Sequence, residues 1–262
     1  MLLQSLIDAP LLIGNLPEAP SFLRSRLSLP EELPRLNVQQ KLGHLYEDAL
    51  AALLVASPAV DLLAKNLQLQ KDSHSTVGEL DFLLRDLSSG QLIHLELATK
   101  FYLAVGDELP GPDVRDNYFN KLARLRDHQL TLVKNHQALL PDEFREESIL
   151  TQQLIYGCLF DHIDSPVLAE PEFLNPGCRR GKWLRVDEVP EHFPVETEFH
   201  MIPKALWPVP LELLAEATLE KWSPEETLER CVMVRIDGCE EPYFIAPISY
   251  PLRSEITKVP SN

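Results

Sequence analysis

The sequence predicts an α/β protein with a mixed central sheet flanked by helices, and three observations carry that prediction. Residues 36–56, LNVQQKLGHLYEDALAALLVA, place Val38, Leu42, Leu45, Ala49 and Leu53 at the spacing of one helix face. Two apolar runs, Leu80–Leu84 and Leu92–Leu103, flank the turn-rich segment Asp86–Gly90, the pattern of a β-hairpin. A second helical stripe, Tyr118, Leu122, Leu125, Gln129 and Leu132, runs inside a helix expected over about Val114–Leu140. At 262 residues and 45% hydrophobic, the chain can bury a substantial core.

In chain order, residues 1–35 are broken by Pro10, Pro17, Pro20, Pro30 and Pro34. They are expected to form short helical stretches at most and to wrap the surface. The opening stretch lacks the basic start of a signal peptide, and Asp8 interrupts its apolar run. The helix at 36–56 ends at Ser57-Pro58. Gly43 inside it costs helix stability, which points to close approach of another backbone. Residues 59–71 read as a short helix running into a strand, and Asp72–Ser75, with His74, as a loop.

Strand side chains alternate between faces. Glu79 and Asp81 therefore share one face of the first hairpin strand, and His94, Glu96, Ala98 and Lys100 share one face of the second. The second strand is otherwise apolar enough for the centre of a sheet. Ionised groups there are costly unless they are paired, hydrogen-bonded or bound to a metal. Two acids converging with a lysine suit a divalent cation and phosphate chemistry, since hard oxygen ligands take Mg²⁺ or Mn²⁺. A Glu96–Lys100 pair that only satisfies itself is the structural alternative.

Beyond the hairpin, Val105–Pro112 is a loop with several breakers, emerging close to Lys100. In the helix after it, Gln129 is a polar residue in an apolar row, and Arg115, Lys121, Arg124 and Arg126 could meet a phosphate backbone. Residues 149–160 alternate like a buried strand. Cys178–Arg185 is the most basic short stretch and suits either nucleic-acid contact or an amphipathic edge strand. From 201 on, short helices are expected at 211–219 and 224–231, then strands at 232–236 and 243–248 joined through the Asp237-Gly238 turn. The tail from Arg253 is expected to fray.

A net charge of −16 argues against a generic nucleic-acid binder. Much of the excess lies between Asp187 and Glu229, an acidic portion suited to a protein partner. Four cysteines without tight paired spacing fit a reducing cytoplasm, and Cys158, His162 and Cys178 make only a weak zinc pattern. No segment has the roughly 18 uninterrupted apolar residues of a membrane span. Phosphate-loop, dinucleotide, nucleophile-elbow and zinc-protease motifs are missing from the sequence, and nothing supports a nucleotide cofactor.

Asp81, a turn, then Glu96 and Lys100 resemble the D…(D/E)-x-K signature of the PD-(D/E)XK nuclease superfamily, and Gly43–Glu47 resembles the helix carrying its additional acid. More closely, LGHLYEDAL, GELDFLL, HLELATKFYL and GPDVRDNYFNKL resemble domain of unknown function 1853, a family of bacterial proteins placed in the same nuclease-like fold. The resemblance implies a restriction-endonuclease-like mixed sheet with a less regular α+β C-terminal portion. Residues 1–165 would form the core and 166–262 a portion packed on it, or the two a single domain. It also implies a metal-dependent nuclease acting on DNA or RNA. Asp81, Glu96 and Glu47 would hold Mg²⁺ or Mn²⁺ and Lys100 would act in catalysis, with Glu79, His94, Gln129 and Lys121 as reserves. The spacing here is E-x-x-x-K where the superfamily has E-x-K. Lys100 keeps the face of Glu96 but lies roughly 6–7 Å further along the strand. The alternative is a catalytically inactive member of the fold that acts as a protein-interaction module.

Overall fold

A nine-stranded mixed sheet organises the chain. The computed structural model describes residues 1–72, 75–214, 217–224 and 227–251, so the expectations for His74 and for the tail from Arg253 lie outside the described residues. The strands are β1 (Val60–Asp72), β2 (Ser75–Asp86), β3 (Leu92–Leu103), β4 (Ile149–His162), β5 (Arg179–Arg185), β6 (Phe199–Met201), β7 (Glu220–Trp222), β8 (Val232–Ile236) and β9 (Tyr243–Ala246). Their order is β1-β2-β3-β4-β5-β9-β8-β6-β7. Parallel pairings join β3 to β4, β4 to β5 and β5 to β9, and the others are antiparallel. One sheet thus runs without a break across residue 165.

The hairpin forms where the sequence places it. Asp86 caps its turn: the carboxylate accepts the N–H groups of Ser88 at 2.9 Å and Ser89 at 3.0 Å, and the Ser88 hydroxyl at 2.6 Å. Gly90 follows at φ +76°, a conformation that costs glycine nothing. Strand β3 is central and largely buried, paired over its whole length to β4. Lys100 lies opposite Gly157, where a Cβ would sit 1.7 Å from the Lys100 carbonyl oxygen. Only glycine permits this approach of the two backbones.

Helices cover both faces. Helices α1 (Leu2–Asp8) and α2 (Leu42–Ala56) bury Leu45, Tyr46, Leu50 and Leu53 against Phe82, Leu84, Ile93 and Leu95. The other face meets α3 (Tyr118–Arg124), a π-helical turn (Leu125–Gln129) and α4 (Leu132–His136). Tyr118, Leu125 and Leu130 pack there with Tyr102 and Ile155, while Leu132 and Val133 pack with Leu80, Leu83 and Leu92. Removing one fully buried leucine, such as Leu50, costs about 2–5 kcal/mol.

Several expectations are corrected. The first predicted helix begins at Leu42, because Asn37 opens a turn in which its side chain accepts the Gln39 N–H at 3.1 Å. Val38 is consequently 51% exposed and no part of the core. A Cβ at Gly43 would meet only the Glu47 carboxylate, 3.7 Å away, so no backbone approaches there. Residues 60–72 are strand throughout, since pairing with β2 outweighs their local helical preference. The predicted 114–140 helix starts at Tyr118 and is broken into α3, the π-helical turn, α4 and a 3₁₀ turn, Gln137–Leu139.

The N-terminal stretch is core and not wrapping. Strand β5 pairs with β4 only from Cys158, which leaves the earlier half of that β4 edge open. Leu12 N–H donates to Ile155 O at 2.7 Å and Phe22 N–H to Gln153 O at 3.0 Å, closing it, and Leu12, Leu16 and Phe22 are buried. The basic stretch at 178–185 is an interior strand, not an edge. Its Arg180 is held by Asp161 and its Arg185 by Glu188. In the C-terminal portion, the described part of 211–219 is one 3₁₀ turn, Leu211–Leu214, and the described part of 224–231 is not helical.

Candidate functional site

The β2–β3 ladder stops one residue short of two acids. Its register runs from Arg85–Leu92 to Phe82–Leu95, and one further step sets Asp81 opposite Glu96. The ladder is replaced there by a side chain: the Asp81 carboxylate accepts the Leu97 N–H at 2.8 Å. Both acids face the side covered by the α3–α4 segment. Glu96 is 1% exposed and His94, two residues earlier on the same face, is 0% exposed.

Burial sets the chemistry of these groups. It pushes the Asp81 carboxyl up to about 8, with the neighbouring charge of Glu96 adding to the effect and the Leu97 N–H opposing it. Burial likewise pushes Glu96 up to about 8, with Glu47 adding and Lys100 opposing. His94 is driven down to about 4 by loss of solvent. The Lys100 ammonium is lowered by burial, and the nearby charge of Asp116 works the other way. Two carboxylates in one dry site repel, so a proton or a cation must neutralise them.

One oxygen of Glu96 is held and the other is not. Gln129 Nε2 donates to Glu96 Oε1. Glu96 Oε2 has no hydrogen-bond partner among the described residues, and neither ring nitrogen of His94 has one. The His94 Nε2 to Glu96 Oε2 separation is 3.6 Å. Buried polar atoms are normally satisfied, so an unpaired carboxylate oxygen calls for a partner of its own. Gln129 reaches Glu96 because it closes the π-helical turn, a feature that recurs at functional sites.

A cleft of about 1320 Å³ opens over this point. Glu79, Asp81, Glu96, Lys100, Gln129 and Lys121 all line it, whereas Glu47 and His94 do not. Lys100 makes no ion pair among the described residues, so the self-satisfied Glu96–Lys100 pair does not form. Glu47 sits on α2, hydrogen-bonded by Asn66 at 3.3 Å and facing His44 at 3.4 Å. It acts on the two acids through its charge. Among the described residues, the group of three bringing metal-ligand atoms within 4.8 Å of one another is Glu198 just before β6, His200 on it and Asp237 after β8, not Asp81, Glu96 and Glu47.

The opposite wall was beyond sequence reasoning. Lys204, Trp207, Arg230 and Tyr250 line it. The Tyr250 hydroxyl donates to Gly111 O at 2.9 Å, tying this wall to the loop after β3. Their sequence carries no motif, and only the run of β5, β9 and β8 brings them beside β3.

Fold and site together define a mixed α/β protein with paired buried carboxylates at the floor of a cleft. A family model described as Domain of unknown function (DUF1853) matches residues 16–247, and the chain belongs to that family. No curated protein and no solved structure matches it. No helix among the described residues is long and apolar enough to cross a membrane.

Proposed function

We propose that the protein is a metal-dependent nuclease that hydrolyses phosphodiester bonds of DNA or RNA in the cytoplasm, with a PD-(D/E)XK-type site on a restriction-endonuclease-like sheet. The observation that carries this is the unpartnered Glu96 Oε2, buried beside a second acid at the floor of a cleft. Asp81 and Glu96 would hold Mg²⁺ or Mn²⁺, helped by a backbone carbonyl near Leu97. Such an ion would neutralise the two acids and supply Lewis-acid polarisation of a phosphate.

The chain's own groups divide the remaining work. Gln129 fixes one Glu96 oxygen and leaves the other, 3.6 Å from His94 Nε2, without a hydrogen-bond partner among the described residues. Lys100, with no ion pair among the described residues, orients the attacking water and steadies the charge developing on the phosphate. Glu47, set back behind the acids, adds negative field that strengthens their hold on a cation. The shifted lysine keeps the required face and reaches the site along its side chain.

The test is cleavage of single- and double-stranded DNA and RNA with Mn²⁺, comparing wild type with Asp81→Ala and Lys100→Ala. Loss of activity in both variants supports the reading. Activity indifferent to both substitutions comes from a contaminant and leaves the inactive, protein-binding form of the fold.

A further inference from the structure

The cleft has an unusual charge. Six basic side chains line it against six carboxylates, so the chain's surplus of 16 negative charges lies wholly elsewhere. A divalent ion on Asp81 and Glu96 would turn the lining positive. Cations in other parts of the molecule are commonly spent on carboxylates: Arg26 on Asp86, Lys65 on Asp48, Arg85 on Glu147, Arg126 on Glu18. In the cleft, Lys100, Arg124 and Arg230 have no carboxylate partner among the described residues, and Lys204 lies 5.6 Å over the Trp207 ring. These four come from four separate segments and stand on both walls.

Shape narrows what they can hold. Glu96 is 1% exposed, so a phosphate must descend between the walls to reach it. The hydrogen bond from Tyr250 to Gly111 ties the Lys204 wall to the loop after β3. A volume of 1320 Å³ exceeds a drug-sized pocket, about 300–1,000 Å³, only slightly. That accommodates a few nucleotides. A B-form duplex, whose major groove alone is about 12 Å wide, is much bulkier than the few nucleotides this volume holds.

We propose that the cleft takes a single strand of nucleic acid, gripped at its phosphates from the α3 wall and the Lys204 wall together, and excludes the duplex. This rests on the nuclease reading for the class of ligand and adds the form of the strand. Both Arg124 and Lys204 are exposed and outside the catalytic group, so their removal leaves the fold intact. Sequence preference is not required, because the grip is on the backbone.

Fluorescence anisotropy with a labelled 12-nucleotide strand, alone or annealed to its complement, tests this in Ca²⁺ across a salt series. The wild type is expected to bind the single strand at least about tenfold more tightly than the duplex. Arg124→Ala and Lys204→Ala are each expected to weaken single-strand binding and to make the salt slope shallower by about 0.7. Equal or tighter duplex binding, no binding of either form, or wild-type affinity and slope in both variants overturns the proposal. Strand-selective binding without Mn²⁺-dependent cleavage would remove the hydrolase reading and leave this one. Cleavage with both variants indistinguishable from wild type would do the reverse.

Discussion

Gln129 and Glu96, 33 residues apart, are joined by a hydrogen bond from the glutamine amide to one carboxylate oxygen. The bond links the α3–α4 segment to the central strand and decides which Glu96 oxygen is left free. Groups that orient a metal ligand typically contribute 10–100-fold in affinity. Gln129→Ala is therefore expected to lower Mn²⁺ affinity by about that factor, measured by calorimetric titration. Gln129→Glu, which puts a third carboxylate beside the pair, is expected to destabilise the metal-free protein and to lose less stability when Mn²⁺ is present.

Metal-free stability should fall as pH rises towards 8. Asp81 and Glu96 have folded-state values near 8, above their ordinary 3.8 and 4.5. The folded state thus binds more protons than the unfolded one between those limits, and stability declines as pH climbs through them. His94, lowered from 6.5 to about 4, works the opposite way, but only between those two values. The decline is therefore steepest from about pH 6.5 to 8. Urea unfolding in EDTA at pH 6.5 and 8 checks it, and Mn²⁺ should abolish the difference, as should Asp81→Asn with Glu96→Gln.

Lys100→Ala should fold at least as stably as wild type. The half-buried ammonium has no ion pair among the described residues, so its loss removes an unfavourable group. Thermal unfolding equal to or above wild type, together with lost cleavage, is the expected result. A large loss of stability would mean that the lysine is structural.

Gly157→Ala should be disruptive. The new methyl would lie 1.7 Å from the Lys100 carbonyl, and relief means parting β3 from β4 beneath the site. A loss of about 3 kcal/mol or more in urea unfolding is expected.

The hairpin and the site's acids were legible because charges in an apolar strand have few structural excuses. Period alone could place Glu96 and Lys100 on one face, Asp81 joined them through the resemblance to the nuclease signature, and Gln129 stood out as a polar gap in an apolar stripe. The break at Leu125–Gln129 was not legible, because a π-helical turn adds a residue without changing composition. Residues 60–72 misled because their partner β2 dictates strand, and propensity does not see partners. The N-terminal stretch was misjudged for a similar reason: its prolines say little about an open β4 edge waiting 140 residues away. Glu47 shows the limit of helix periodicity. The stripe fixed which side of α2 packs, but not that Glu47 would turn to Asn66 and His44 while only the start of α2, at Leu42 and Gly43, lines the cleft.

The most direct measurement is anomalous diffraction from crystals soaked in Mn²⁺. A peak coordinated by Asp81 and Glu96 at the floor of the cleft, absent in Asp81→Asn crystals, is the result this account predicts. Manganese found only at Glu198, His200 and Asp237, or nowhere on the protein, would contradict it.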